Sequence, residues 1–483
     1  MNKKIVKNNI HIETVSAIFV IIFVALFCLA NLTAGFIWPL YILAMALGFV
    51  ISLIYPRSGL FAIIFLTIVF EKFFTLVSIH MGRSEYKIYP IDYLFAGILI
   101  SLVLQIIFGR VKVSLKKADF VLIGFVLLNT AVFIYSVFIA KHDFALAFST
   151  FKNYSFYSLF YFAAVFLIRS EDDLKRLFKF FLAGGIAIII FIIIGIARGD
   201  GLWIEFNPLS TEGTRTLGFA HGFYLSLLIF PVLFGLIFRE NKNRPVLGSY
   251  LLLAIWAIGI VGTLMRHLWV AILAVMALAY LLLPRENKAD FRRIGLKFAV
   301  PALVALMLVF HIALVFPQSK ISDYKNLAEE TILVRASSLG NTSGDESLSW
   351  RKLVWQSVYE KWKTSPLIGV GTGQLVYVET ETYKEFIEAR NIHNSLFAIL
   401  LQTGLIGIFV FFYFVYAVVK NLFKAKAAPE YKFALLSMIG LYLIVIMFQP
   451  YLEANMLGIF FWIVLGLARV LPEIKTYENF RNK

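Results

Sequence analysis

NIHNSLFAILLQTGLIGIFVFFYFVYAV, residues 391–418, places a histidine between two asparagines at the mouth of a continuous apolar run. From Ser395 to Val418 the run is long enough for a helix to cross the hydrocarbon core of a bilayer, which takes about 17–25 residues. Ahead of it stands the longest polar stretch in the chain, and ahead of that a series of further apolar runs. The 483-residue chain is 60% hydrophobic and 15% charged, with mean hydropathy +0.83. Those values lie outside the range of soluble globular domains and describe a membrane protein.

Apolar runs recur near residues 14–30, 34–54, 59–79, 91–108, 119–140, 150–168, 177–198, 217–238, 247–264, 267–284, 297–316, 395–418, 432–449 and 451–470. The expected fold is all-α: a polytopic membrane protein of about 12–14 transmembrane helices with one long helical outer loop. Residues 1–316 hold the N-terminal spans, 317–394 the loop and 395–483 the C-terminal spans. Polar residues at 141–155 blur one boundary, and at 264–267 two spans nearly touch. The first run follows a basic N-terminus but lacks a small-residue cleavage site, so it reads as the first span and not a removed leader.

Lys and Arg assign the sides. Alternating connections that begin with the N-terminus hold 28 of them, whereas the opposite short connections hold six: Arg83, Lys87, Lys141, Arg198, Arg215 and Arg266. By the positive-inside rule both termini are cytoplasmic and residues 317–394 lie outside. The net charge of +16 is therefore spent on orientation in the bilayer and does not describe a nucleic-acid-binding face.

A single cysteine, Cys28, excludes a disulfide within one chain, and the seven scattered histidines form no metal-binding spacing. No metal and no cofactor is expected. Within the outer loop, residues 322–336 and 347–364 have helical character. In the second, Arg351, Trp355, Val358 and Trp362 share one face. An aromatic stripe of this kind serves packing first, and Arg351 shares it.

Charges near membrane depth are costly and mark candidate sites. Arg266, in GTLMRHLW, sits between two spans with almost no loop. Its planar, always-charged fork suits a phosphate oxyanion as well as a lipid headgroup. Arg215, in EGTRTLGFAHG, also reads as a membrane-boundary anchor. PLIGVGTGQ, residues 366–374, lacks the spacing of a nucleotide loop and reads as a tight backbone turn. His393 can serve as a general base near neutral pH or as a structural hydrogen-bonder. Gly404 and Gly407 allow close helix approach. Glu71, Lys72, Lys152, His221, His311 and Glu453 are further polar groups in or near spans.

The order of these features resembles the O-antigen ligase and polymerase superfamily. It comprises an outer arginine between two spans (Arg266), a long outer loop, and Arg351 four residues before Trp355. Pro366 with Gly369, Gly371 and Gly373 follows, and then His393 before Gly404 and Gly407. The resemblance covers about residues 260–410 and implies a bacterial cytoplasmic-membrane glycosyltransferase, inverting and independent of metal. Its donor would be an undecaprenyl-pyrophosphate-linked glycan, its acceptor a glycan, lipid or protein hydroxyl, and membrane lipid its surroundings. It also implies that Arg266 and Arg351 hold the pyrophosphate and that His393 activates the acceptor. Arg215, Trp355, Gly371 and Asn394 are the candidate substrate-binding residues around them. A flippase for lipid-linked oligosaccharides, or another polytopic transporter, is the alternative that the span count permits, although no two-half symmetry is visible in the hydropathy.

Overall fold

Within a bilayer no water meets the backbone, so each apolar run must close its own hydrogen bonds, and helices result. The computed structural model describes residues 3–34, 36–70, 79–81, 84–86, 88–198, 217–239, 247–297, 346–379 and 384–474. In chain order the helices are α1 (Lys3–Ala34), α2 (Trp38–Ile54), α3 (Pro56–Phe70), α4 (Pro90–Ile107), α5 (Lys117–Ile134), α6 (Phe144–Phe151), α7 (Phe160–Leu167) and α8 (Glu171–Arg198). They continue with α9 (Phe219–Ile237), α10 (Leu247–Gly262), α11 (Arg266–Leu282), α12 (Glu346–Trp362), α13 (Ser395–Lys424), α14 (Pro429–Val445) and α15 (Asn455–Val470). Two short antiparallel strand pairs, β1 (Ile79–Met81) with β2 (Ser84–Tyr86) and β3 (Leu375–Glu379) with β4 (Lys384–Glu388), are the strands among the described residues. Seven of the described helices are long and apolar enough to cross a membrane, and α2, α3, α10 and α11 are shorter apolar helices. The chain is an all-α polytopic membrane protein, as its apolar periodicity requires.

The helices gather into two compact units, Met1–Gly184 with Leu353–Ala427 and Ile446–Lys483, and Gly185–Lys352 with Ala428–Val445. In the first unit α2 packs on α4, α1 on α3, α5 on α13 and α7 on α15. A buried ion pair ties three of these helices together. Arg469 Nη2 of α15 lies 3.0 Å from Asp119 Oδ2 of α5, and the two side chains are 1% and 0% exposed. Taking both charges out of water is costly unless their remaining hydrogen-bonding capacity is met. Tyr161 of α7 donates to Asp119 Oδ1 at 2.6 Å, the Lys116 amide donates to Oδ2 at 2.6 Å, and Arg469 donates to the Ser114 carbonyl at 3.1 Å.

Two π-helical turns answer the polar interruption at 141–155. One, Tyr135–Ile139, extends α5, and the other, Lys152–Phe156, follows α6. Asp143 caps α6 by accepting from the Leu146 amide at 2.8 Å. The single span expected over 150–168 is therefore a π turn, a 3-10 turn (Tyr157–Leu159) and α7 in succession. Its polar side chains are spent on neighbouring segments. Lys152 Nζ reaches Asp92 Oδ2 at 2.6 Å, Tyr157 donates to Asp92 Oδ1 at 2.7 Å, and Asn153 donates to the Glu453 carbonyl at 2.9 Å. Such π insertions re-aim side chains that an α-helix would send elsewhere.

In the second unit α9 packs on α14 and α10, and α11 packs on α14. Trp256 of α10 is fully buried and donates to the Gly185 carbonyl of α8 at 3.0 Å.

The polar segment expected as a helical loop departs from a purely helical reading. Its helix over 347–364 is present as α12, but β3 and β4 follow it in antiparallel register, Val376 opposite Ile387 and Tyr377 opposite Phe386. Val376, Val378 and Ile387 are buried, while the Tyr377 and Phe386 rings meet on the outer face with centroids 5.0 Å apart. Alternation over five residues makes the strand, and pairing of β3 with β4 supplies what local helix propensity could not. The helix expected over 322–336 lies outside the described residues.

Candidate functional site

His393 occupies a left-handed backbone conformation, with φ 56°. A non-glycine residue there costs of order 1–3 kcal/mol and persists only where its surroundings enforce it. Three sets of contacts do so. Asn394, next in the chain, caps α13: its Oδ1 accepts from the Leu396 amide at 2.9 Å and the Phe397 amide at 3.1 Å. Trp355 of α12 donates from Nε1 to the Ile392 carbonyl at 2.9 Å and sets its ring edge-on to Phe397, centroids 5.5 Å apart. On the other flank, the Ser395 amide donates to the Ile446 carbonyl at 2.8 Å, and Ser395 Oγ accepts from the Leu452 amide at 3.2 Å.

The segment 446–454 joins α14 to α15 and supplies the partner of the imidazole. His393 Nδ1 donates to Gln449 Oε1 at 2.8 Å. A carboxamide oxygen only accepts, so Nδ1 carries a proton, and in the neutral ring Nε2 is then the basic nitrogen. The same segment is locked by Glu453, 6% exposed, whose carboxylate accepts from Ser395 Oγ and from Tyr154 of the second π turn. His393 thus sits on a rigid frame drawn from α12, α13, the 446–454 connection and the Lys152–Phe156 turn.

The glycine turn performs the structural task that its spacing suggests. Gly404 interrupts α13 with φ 65° and ψ −162°, which frees backbone groups in the middle of the helix. The turn takes them up: the Val370 amide donates to the Leu401 carbonyl at 2.8 Å and the Gly371 amide to the Gln402 carbonyl at 3.2 Å. In return, Leu405 and Ile406 amides donate to the Pro366 and Leu367 carbonyls at 3.0 and 3.1 Å. A Cβ on Gly404 would lie 2.3 Å from the Leu367 oxygen, and one on Gly369 would lie 2.4 Å from the Gln402 carbonyl carbon. Only glycine permits this approach.

Gly371 is buried, with φ 89°, and a Cβ there would meet Ser136 Oγ at 2.5 Å. Ser136 Oγ accepts from the Thr372 amide at 2.8 Å, and His142 Nδ1 donates to the Thr372 carbonyl at 2.8 Å. His142 Nε2 then accepts from Gln374 Nε2 at 2.6 Å, and Gln374 Oε1 accepts from Lys361 Nζ of α12 at 2.7 Å. Partial burial lowers the Lys361 pKa from its ordinary value.

Arg351 lies one turn before Trp355 on α12 and is half-buried, on the helix side that carries the buried Val354 and Val358. Arg266 belongs to the second unit, as the first residue of α11. The turn ahead of it is tight: Leu264 is buried with φ 56°, and buried Thr263 donates to the Ile260 carbonyl at 2.6 Å. The Arg266 guanidinium is half-buried at the N-terminus of α11, where the helix dipole also favours an anion. Arg215 lies outside the described residues.

The first unit therefore brings His393, Asn394, Trp355 and the Gly371 turn onto one connected frame, while Arg266 is positioned by the second unit. Asn394 and Gly371 have structural tasks there, a helix cap and a buried turn. Gln449, Glu453 and His142 complete the frame. Of these, Glu453 stood out in the sequence as a polar group near a span; Gln449 and His142 carried no local signal.

Residues 250–412 match the family model described as O-antigen ligase, a segment running from α10 through α13 that includes Arg266, Arg351 and His393. That match supports the O-antigen ligase and polymerase superfamily, the one the ordered residues resemble. A search of curated proteins finds no significant match to the chain.

Proposed function

We propose that the protein is a membrane glycosyltransferase that moves a glycan from a polyprenyl pyrophosphate, undecaprenyl pyrophosphate in bacteria, to an acceptor hydroxyl on the outer face of the cytoplasmic membrane. His393 Nε2 takes the proton of the acceptor hydroxyl. The oxygen attacks the anomeric carbon from the face opposite the pyrophosphate, the carbon–oxygen bond to pyrophosphate breaks, and the configuration inverts. Arg266 and Arg351 neutralise the charge that gathers on the departing pyrophosphate, the kind of preorganised electrostatic help that lowers such barriers most. No nucleotide is needed, because pyrophosphate is already a good leaving group. Arg215, Trp355, Gly371 and Asn394 are proposed to border the substrates, Asn394 and Gly371 through the backbone they fix. Both termini are cytoplasmic in this reading.

The observation that carries it is the hydrogen bond from His393 Nδ1 to Gln449 Oε1. It places a proton on Nδ1, which supports Nε2 as the basic nitrogen of the neutral ring, within the segment that matches O-antigen ligase. The test is a transfer assay on full-length protein in detergent, with a polyprenyl-pyrophosphate-linked oligosaccharide as donor. Formation of a new glycosidic bond with no membrane to cross is expected. Binding of the donor without any bond formation, across sugar, core-lipid and peptide acceptors, would overturn the reading and favour transport.

A further inference from the structure

At the end of the first unit remote in sequence from the His393 frame, a cavity of about 580 Å³ opens among α1, α2, α3, α4 and α7. Its walls are of two kinds. Ile54, Leu104 and Phe108 form an apolar side and are 61%, 41% and 71% exposed. Arg57, Arg110 and Arg169 line the polar side together with Glu13.

The charges there do not balance. Glu13 accepts from Arg57 at 3.2 Å and from Arg176 at 2.8 Å, and Asp173 accepts from Arg176 at 2.6 Å and faces Arg57 at 3.8 Å. Two carboxylates and two guanidiniums thus close on one another. Arg169 and Arg110 are surplus. Arg169, on the exposed rim, gives its Nε to the Phe166 carbonyl at 2.8 Å, and partial desolvation and then the neighbouring Arg57 lower its pKa. The exposed Arg110 guanidinium has no hydrogen bond or ion pair among the described residues. Like charges gathered around a cavity are unfavourable until an anion enters, and guanidinium forks match phosphate oxygens best.

We propose that this cavity binds the phosphate-bearing headgroup of an anionic membrane lipid, with an acyl chain lying along Ile54, Leu104 and Phe108. The exposed apolar wall beside the surplus arginines favours an amphiphile over a soluble phosphate, since a free ion has no use for it. The lysine and arginine distribution puts this end on the cytoplasmic side, so the site is separate from the outer-face chemistry proposed above and stands or falls independently of it.

Full-length protein in neutral detergent is titrated with phosphatidylglycerol and observed by native mass spectrometry. Three comparisons are made: phosphatidylcholine as the lipid, millimolar inorganic phosphate as competitor, and the R110A/R169A and F108S variants as the protein. Saturable phosphatidylglycerol binding is expected, weaker by at least about tenfold in R110A/R169A and weaker also in F108S, and unchanged by inorganic phosphate. Thermal unfolding of the variants without lipid shows that they are folded, since all three positions are exposed. Equal phosphatidylglycerol affinity in wild type and R110A/R169A would overturn the site. Equal affinity for phosphatidylcholine, or displacement by inorganic phosphate with F108S indistinguishable from wild type, would overturn the lipid assignment.

Discussion

Gln449 holds His393 from the far side of two helices: its Oε1 accepts the Nδ1 proton at 2.8 Å, across 56 residues of sequence. The bond orients the ring and places a proton on Nδ1, as the proposed role of Nε2 as a base requires. In the proposed mechanism, loss of Gln449 acts through the histidine and not on substrate directly. Q449A is expected to lower kcat for glycan transfer by about tenfold to a hundredfold, less than loss of the base itself, with KM for the donor little changed. Q449E, which still accepts from Nδ1, is expected to recover most of it. Steady-state kinetics of the two variants check this, and a pure KM effect would assign Gln449 to donor binding instead.

Trp355 is tied to the same frame through the Ile392 carbonyl. W355F keeps the ring against Phe397 but leaves that carbonyl without its donor, at a cost of about 1–3 kcal/mol if water cannot reach it. A fall in transfer is expected together with a lower unfolding temperature, measured in detergent. W355A should be worse on both counts, because the aromatic contact goes as well.

Gly404 and Gly369 face each other where the turn enters α13. G404A forces a side chain into positive φ, for about 1–3 kcal/mol of strain, and sets a methyl group 2.3 Å from the Leu367 oxygen. The variant is expected to unfold at a lower temperature and to lose the protection of the Leu405 and Ile406 amides in hydrogen exchange. Unaltered exchange at those amides would show that the turn is not what holds the helix break.

Arg469 and Asp119 form a pair out of reach of water. R469M strands the carboxylate and is expected to cost about 3–5 kcal/mol of stability, whereas D119N/R469M, with no buried charge left, should regain most of it. Thermal unfolding of the single and double variants decides the point.

The fold was legible because membrane spans announce themselves by length and apolarity, and the run at 395–418 became α13 with its N-cap at Asn394. The turn at 264–265 was legible in the same way: two spans with almost nothing between them left only a tight connection. What local pattern could not supply is pairing. The KEFIE stretch carries charges that suit a helix, and it is a strand only because LVYVE lies beside it. The break at Lys152–Phe156 meets Asp92 and Glu453, and that at Tyr135–Ile139 meets Thr372, partners far away in the chain. The candidate site followed the same rule. Its histidine and arginines stood out by type and place, while Gln449 is an unremarkable glutamine until the fold brings 446–454 against Ser395.

The central claim is that His393 Nε2 takes the proton of the acceptor hydroxyl. Because His393 has φ 56°, an Asn replacement is the cleaner probe: asparagine tolerates that backbone region far better than alanine. Single-turnover transfer by H393N, with donor bound at saturation and the unfolding temperature matched to wild type, is the most direct measurement. The expected result is a rate lower by about 10²–10⁴-fold with donor affinity retained. A folded H393N protein that transfers glycan at the wild-type rate would contradict it.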